Sequence, residues 1–223
     1  YAIGAYAAAD VTYRFSQLQN ANGLTVLFMV ALLSTVGLVL AQLFISKIRG
    51  LDPLSALVLY LVATIALGYV GFLIGKVAAG PVTSLLVSMP KDVATQIVFF
   101  ISVLLAGIVA AEISFLFGLP ILTLGSDYFG IATLGFTIII KVLLDNSDTL
   151  LGFEEMKGAR GMIGIPKITS WFWVFLFLVV TVILVRNLLN STYGRAIKSV
   201  REDELAAKAM GIDIANFKIV TFV

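Results

Sequence analysis

Glu112 is an acid set within a long apolar run, and it is the first residue that could carry chemistry. Burying charge in a membrane is costly, so an intramembrane carboxylate is a functional candidate by default. Two readings stay open for it: a contact on a translocation pathway, or an ion pair with Lys141 in a neighbouring helix. Lys141 and Arg186 each lie near the C-terminal end of an apolar run. A long cation there reaches headgroups and complements the helix dipole. Asp127, in GSDYFG, stands with Ser126 where a helix N-cap is expected, and a gate at the membrane boundary is the alternative. Tyr128 and Thr133, with Thr137 and Ser114, are candidates for a polar path, although membrane hydroxyls commonly bond their own helix. The chain has no histidine and no cysteine. Imidazole bases, thiol nucleophiles, disulfides and the usual zinc, haem and iron–sulfur ligands are therefore excluded. GARGMIGIP fits neither phosphate-loop pattern, and no protease arrangement falls inside an apolar run.

The other distinctive stretch is NSTYGRAIKSVREDELAAKAMG, Asn190 to Gly211, the most polar part of the chain. Read as one helix, it puts Tyr193, Ala196, Ile197, Val200, Ala207 and Gly211 on a single face. Arg195, Lys198, Arg201 and Glu202 point elsewhere. A compact apolar stripe edged with both charge signs suits docking to a partner in the aqueous phase.

These residues need elements to hold them, and composition says what kind. The 223 residues are 60% hydrophobic and 13% charged, with a mean hydropathy of +1.06. Soluble domains carry about 25% charged residues. The sequence predicts an all-α, polytopic membrane protein. Spans of about 20 apolar residues are expected at Leu24–Ser46, Leu54–Gly75, Val93–Gly118 and Trp171–Leu189. A shorter fifth, Tyr128–Leu144, contains Gly130 and Gly135 and reads as a span buried in a bundle. Tyr1–Ala9 and the stretch from Ile219 read as partial helices, so the chain is expected to be a fragment of one transmembrane domain, 1–223. Lys and Arg weigh modestly toward a cytoplasmic placement of loop 190–216. The loop Asp145–Ser170 is long enough to be a binding surface or a solvated connector. A net charge of +2 gives no case for nucleic acid.

Three blocks carry a resemblance. LPILTLGSDYFGIATLGFTIII (Leu119–Ile140), STYGRAIKSVREDELAAKAMGIDIANFKIVTFV (Ser191–Val223) and IGAYAAA (Ile3–Ala9) are similar, in wording and order, to LivM-type permeases of branched-chain amino acid ABC transporters. The resemblance implies an importer subunit of a prokaryotic plasma (inner) membrane, worked by alternating access. Its implied partners are cytoplasmic ABC ATPase subunits, a second permease subunit and an extracytoplasmic substrate-binding protein, all in membrane lipid. ATP and magnesium would be used by those partners, with no cofactor or metal on this chain. The polar block matches the family's ATPase-coupling loop, which places Gly194, Arg195, Arg201, Glu202, Asp203, Glu204, Ala206, Ala207 and Gly211 in that role. The chain departs from the family between Ala9 and Leu119, where two extra hydrophobic segments stand, so urea and short amides remain alternative solutes. The rival reading is a stand-alone ion- or proton-coupled transporter, which should show inverted repeats and several midplane acids. A membrane-embedded enzyme has no motif behind it.

Overall fold

In lipid, a chain must satisfy its own backbone donors and acceptors, and a continuous helix does so without water. The computed structural model describes residues 2–18, 21–45, 53–123, 126–147, 161–162, 164–165 and 167–222. Among these residues every regular element is an α-helix: α1 (Ala2–Leu18), α2 (Asn22–Ile45), α3 (Pro53–Val87), α4 (Lys91–Thr123), α5 (Ser126–Asp145), α6 (Trp171–Asn190), α7 (Thr192–Glu202), α8 (Glu204–Ala209) and α9 (Ile214–Phe222). Of these, α2, α3, α4 and α6 are long and apolar enough to cross a membrane. The expected all-α polytopic class is what the chain adopts. The cluster Lys47 to Asp52 and most of the loop after Asp145 lie outside the described residues.

Several boundaries differ from the sequence expectation. The first helix runs to Leu18 because Arg14 folds back on Asp10 one turn earlier, at 3.0 Å, so both charges are matched. The third does not stop at Lys76. It continues through Pro81 to Val87, about 52 Å of helix at 1.5 Å per residue. The Lys76 ammonium lies 4.3 Å over the Phe72 ring. Near the proline, Thr83 and Ser84 donate to the carbonyls of Ala79 and Pro81, both at 2.8 Å. The carbonyl that Pro81 leaves without its usual N–H donor is that of Val77, and membrane helices tolerate such prolines. Likewise α4 passes through Pro120 to Thr123 rather than ending at Gly118.

The chain forms two compact units, 1–166 and 167–223. In the first, α2 and α3 pack along their length as a hairpin, and small residues set the spacing. A Cβ on Gly71 would lie 2.9 Å from Val30 Cα, one on Gly75 2.7 Å from Val26 Cα, and one on Gly37 2.9 Å from the Ala63 carbonyl oxygen. Such contacts require glycine, as expected where helices associate by close backbone approach rather than by a hydrophobic drive. α1 packs on α4 by the same device, with Gly4 against Ala106. Val11, Phe15, Leu24, Leu86, Val98 and Leu105 form the main core.

In the second unit, α6 has no buried residue and presents its whole apolar surface outward. The smaller helices α7, α8 and α9 fold against one another beyond its C-terminal end. Gly71→Val should therefore force α2 and α3 apart, at a cost of about 1–3 kcal/mol typical of overpacking. Gly80→Ala, where a Cβ meets nothing within 4 Å, should leave thermal stability in detergent nearly unchanged. Equal melting temperatures for the two variants would contradict the glycine-set spacing.

Candidate functional site

The polar element begins at a corner. Ser191 closes α6, its N–H donating to the Leu188 carbonyl, and opens α7, its side chain accepting from the Gly194 N–H at 3.1 Å. The turn is tight enough that a Cβ on Gly194 would lie 2.6 Å from Leu189 Cα. Glycine is obligatory there. Arg195 donates to the Asn190 carbonyl at 3.3 Å and to Thr192 Oγ1 at 3.1 Å, placing a cation on the C-terminal end of α6. The same chain that fills the membrane is thus turned abruptly into a polar helix.

The expected single helical face does not form. The helix breaks at Asp203, whose carboxylate accepts from the N–H groups of Leu205 (2.8 Å) and Ala206 (3.0 Å) and so caps α8. Two helices replace one because an Asp able to satisfy free first-turn donors stands before a run of good helix formers. The far end of α8 closes with the 6→1 and 5→2 bonds of a Schellman turn. Ile212 N–H reaches the Ala207 carbonyl at 3.1 Å, and Gly211 N–H reaches Lys208 at 3.0 Å. Gly211 sits at φ +82°, a conformation that costs other L-residues roughly 1–2 kcal/mol.

These local roles redistribute the predicted coupling residues. Gly194 makes the corner, Asp203 and Gly211 are caps, and Ala207 is buried. Glu204 pairs with Lys218 of α9 at 2.6 Å. Arg201 and Glu202 pair at 2.7 Å on the exposed surface, and Ala206 is exposed. What faces outward most strongly was missed by the sequence reading: Leu205 and Met210 are 81% and 83% exposed. Tyr193 is exposed as well, its ring 5.9 Å from that of Phe217. Two large apolar side chains thus project from a short, doubly capped helix and its C-cap. The signal available in sequence was an Asp cap followed, at short range, by two apolar residues outside the assumed stripe.

The predicted membrane residues separate from one another. The Glu112 carboxylate accepts from the buried Ser34 hydroxyl, 2.8 Å from each oxygen. This replaces the expected pairing with Lys141 and ties α4 to α2. Ser34 also lies 2.6 Å from the Val30 carbonyl, so its single hydroxyl hydrogen serves one acceptor at a time. Tyr60 of α3 donates to Gln42 of α2, and its ring meets Phe115 of α4 edge-on at 5.3 Å.

Lys141 instead lines a cleft of about 530 Å³ between α1, α4 and α5, together with Tyr6, Ser114, Thr137 and Asp145. Glu112 does not line it. The volume suits a small solute. The polar groups combine a cation, an acid and hydroxyls against apolar walls such as Ile113 and Phe136. Thr133 lies outside the cleft and donates to the Gly130 carbonyl, and Thr137 to that of Thr133, both at 2.9 Å. Tyr128 is exposed. Asp127 falls inside the first turn of α5, and its side chain lies outside the described residues. The expected burial of this helix is not found: Ile131, Leu134 and Ile138 are more than 60% exposed, and Cβ atoms on Gly130 or Gly135 would meet nothing. The cleft separates much of α5 from its neighbours, and the Phe117–Phe136 ring contact at 4.1 Å joins it to α4. Among the described residues no group of acidic side chains is placed to hold a metal ion.

Comparison with known proteins places this architecture. Residues 53–223 match the family described as branched-chain amino acid transport system / permease component. The chain belongs to that family. It is 32% identical over 147 residues to the high-affinity branched-chain amino acid transport system permease protein LivM of Salmonella typhimurium, covering 53% of this chain and 35% of that protein. Identity and coverage are the same for the LivM protein of Escherichia coli. A probable branched-chain amino acid transport permease protein LivM of Methanocaldococcus jannaschii is 27% identical over 135 residues, 56% of this chain and 37% of that protein. The chain spans about a third of the length of these curated relatives. No solved structure matches. Family and helices together make this a multi-pass inner-membrane protein.

The Schellman turn gives a direct check on the site. Gly211→Val should destabilise α8 by roughly 1–2 kcal/mol, read as faster proteolysis at Lys208, whereas Gly211→Asn should be cleaved nearly as slowly as the parent. Indistinguishable cleavage of the valine variant would remove the capping role.

Proposed function

We propose that this chain is part of the permease subunit of an ATP-driven importer of branched-chain amino acids. The observation that carries the reading is the family match over residues 53–223, which takes in the whole capped element α7–α8. In this mechanism a binding protein delivers solute to the outer face, and a second permease completes the path. Cytoplasmic ATPase subunits bind and hydrolyse ATP and move the element from Thr192 to Gly211. Rigid-body motion then opens the path inward.

The geometry supports the coupling step physically. Leu205 and Met210 supply exposed apolar surface that a partner can bury, while the exposed Arg201–Glu202 pair can fix register. The corner at Ser191–Gly194 joins the element directly to α6, so a push on α8 reaches a membrane helix through one short, capped turn. On the solute side, the cleft offers Lys141 for a carboxylate, Asp145 for an ammonium and apolar walls for a branched side chain. That is the chemistry of an apolar amino acid zwitterion.

Leu205→Glu and Met210→Glu, placed in the intact subunit, should lower labelled-leucine uptake tenfold or more while the protein still reaches the membrane. Both positions are solvent-facing, so the fold tolerates the change. Uptake at the parental rate in both variants would overturn the coupling role. These substitutions are better probes than Gly211→Arg, which also breaks the cap.

A further inference from the structure

We infer that the groove where α6 meets α7 is a specific site for an anionic phospholipid. The groove has a volume of about 610 Å³ and lies along the last turns of α6. Its walls are Val182, Val185 and Leu189, and its polar groups are Thr181, Arg186, Asn190 and Lys198.

The charge balance of the surrounding unit decides what it can bind. Residues 167–223 contain four acids, Glu202, Asp203, Glu204 and Asp213. Each is engaged elsewhere: Glu202 by Arg201 and Glu204 by Lys218, Asp203 by the first turn of α8, and Asp213 by Asn216. The acids of this stretch are therefore held in local pairs and caps. Among the described residues no carboxylate comes within ion-pair distance of Arg186 or Lys198. No acid lines the groove. Two cations face one open volume with nothing negative to answer them.

Position selects the ligand. The groove runs along a helix long and apolar enough to cross a membrane, so acyl chains can lie on Val182, Val185 and Leu189 while the phosphodiester meets Arg186 and Lys198. The Arg186 guanidinium offers a planar fork to two phosphate oxygens, and the Lys198 ammonium adds a point charge. Without an acid in the lining, a choline or ethanolamine ammonium has no partner. The headgroup is thus one of net negative charge, such as phosphatidylglycerol. Basic pockets beside membrane helices bind acidic headgroups on these terms.

The test is native mass spectrometry of the intact protein in detergent, titrated with phosphatidylglycerol, phosphatidylcholine or inorganic phosphate. The parent should retain phosphatidylglycerol in preference to phosphatidylcholine, and phosphate should not compete. The double variant Arg186→Gln, Lys198→Gln should bind phosphatidylglycerol roughly tenfold more weakly. The pair Arg201→Gln, Lys208→Gln removes the same charge elsewhere and should bind it like the parent. Equal retention of the two lipids by the parent, competition by free phosphate, or equal loss in both double variants would each overturn the site. The parent's lipid preference decides the matter even if the groove variant does not fold.

Discussion

A membrane helix can be left only where its broken hydrogen bonds are met by something else, and this chain meets them locally at three successive points. Ser191 closes α6 and opens α7. The Asp203 carboxylate opens α8. Gly211, at φ +82°, lets the backbone turn back on Ala207 and Lys208. Each orphan group costs several kcal/mol in hydrocarbon and less in water. Local closure therefore lets the chain pass from lipid to solvent within a few residues. The short helix α8 exists because of these closures: they fix its length and leave Leu205 and Met210 exposed.

The first unit obeys a related constraint. Lipid gives helices no hydrophobic reason to associate, so contact comes from backbones that can approach at Gly4, Gly37, Gly71 and Gly75. Polar pairs are few and are used between helices: Ser34 with Glu112, and Tyr60 with Gln42. Such bonds average only about 0.6 kcal/mol in membranes, so they add register more than stability. A carboxylate that looked like pathway chemistry thus joins the α2–α3 hairpin to α4, and the solute-sized cleft lies elsewhere.

What was legible in the sequence follows from range. Helix type and the approximate spans rest on composition and were readable. Helix ends were less so: the spans expected to end at Gly75 and Gly118 run on through Pro81 and Pro120, since in lipid an interrupted helix costs more than a tolerated proline. The nine residues proposed for coupling were read as sharing one helix, but Asp203 splits it. Its cap competes with continuation of the helix by a small margin that periodicity does not register. The Ser34–Glu112 bond links residues 78 positions apart, and nothing local to either announces it.

The central claim is that α8 is the surface a nucleotide-binding partner touches. Because residues 1–223 contain no cysteine, Leu205→Cys and Met210→Cys each introduce one reactive thiol into this part of the subunit. The direct measurement is cross-linking of these variants in the assembled, ATP-hydrolysing transporter with a short thiol-reactive reagent. A link to the ATPase subunit from both positions, changing in yield when ATP is bound, is the expected result. No link from either position in an active complex would contradict the account.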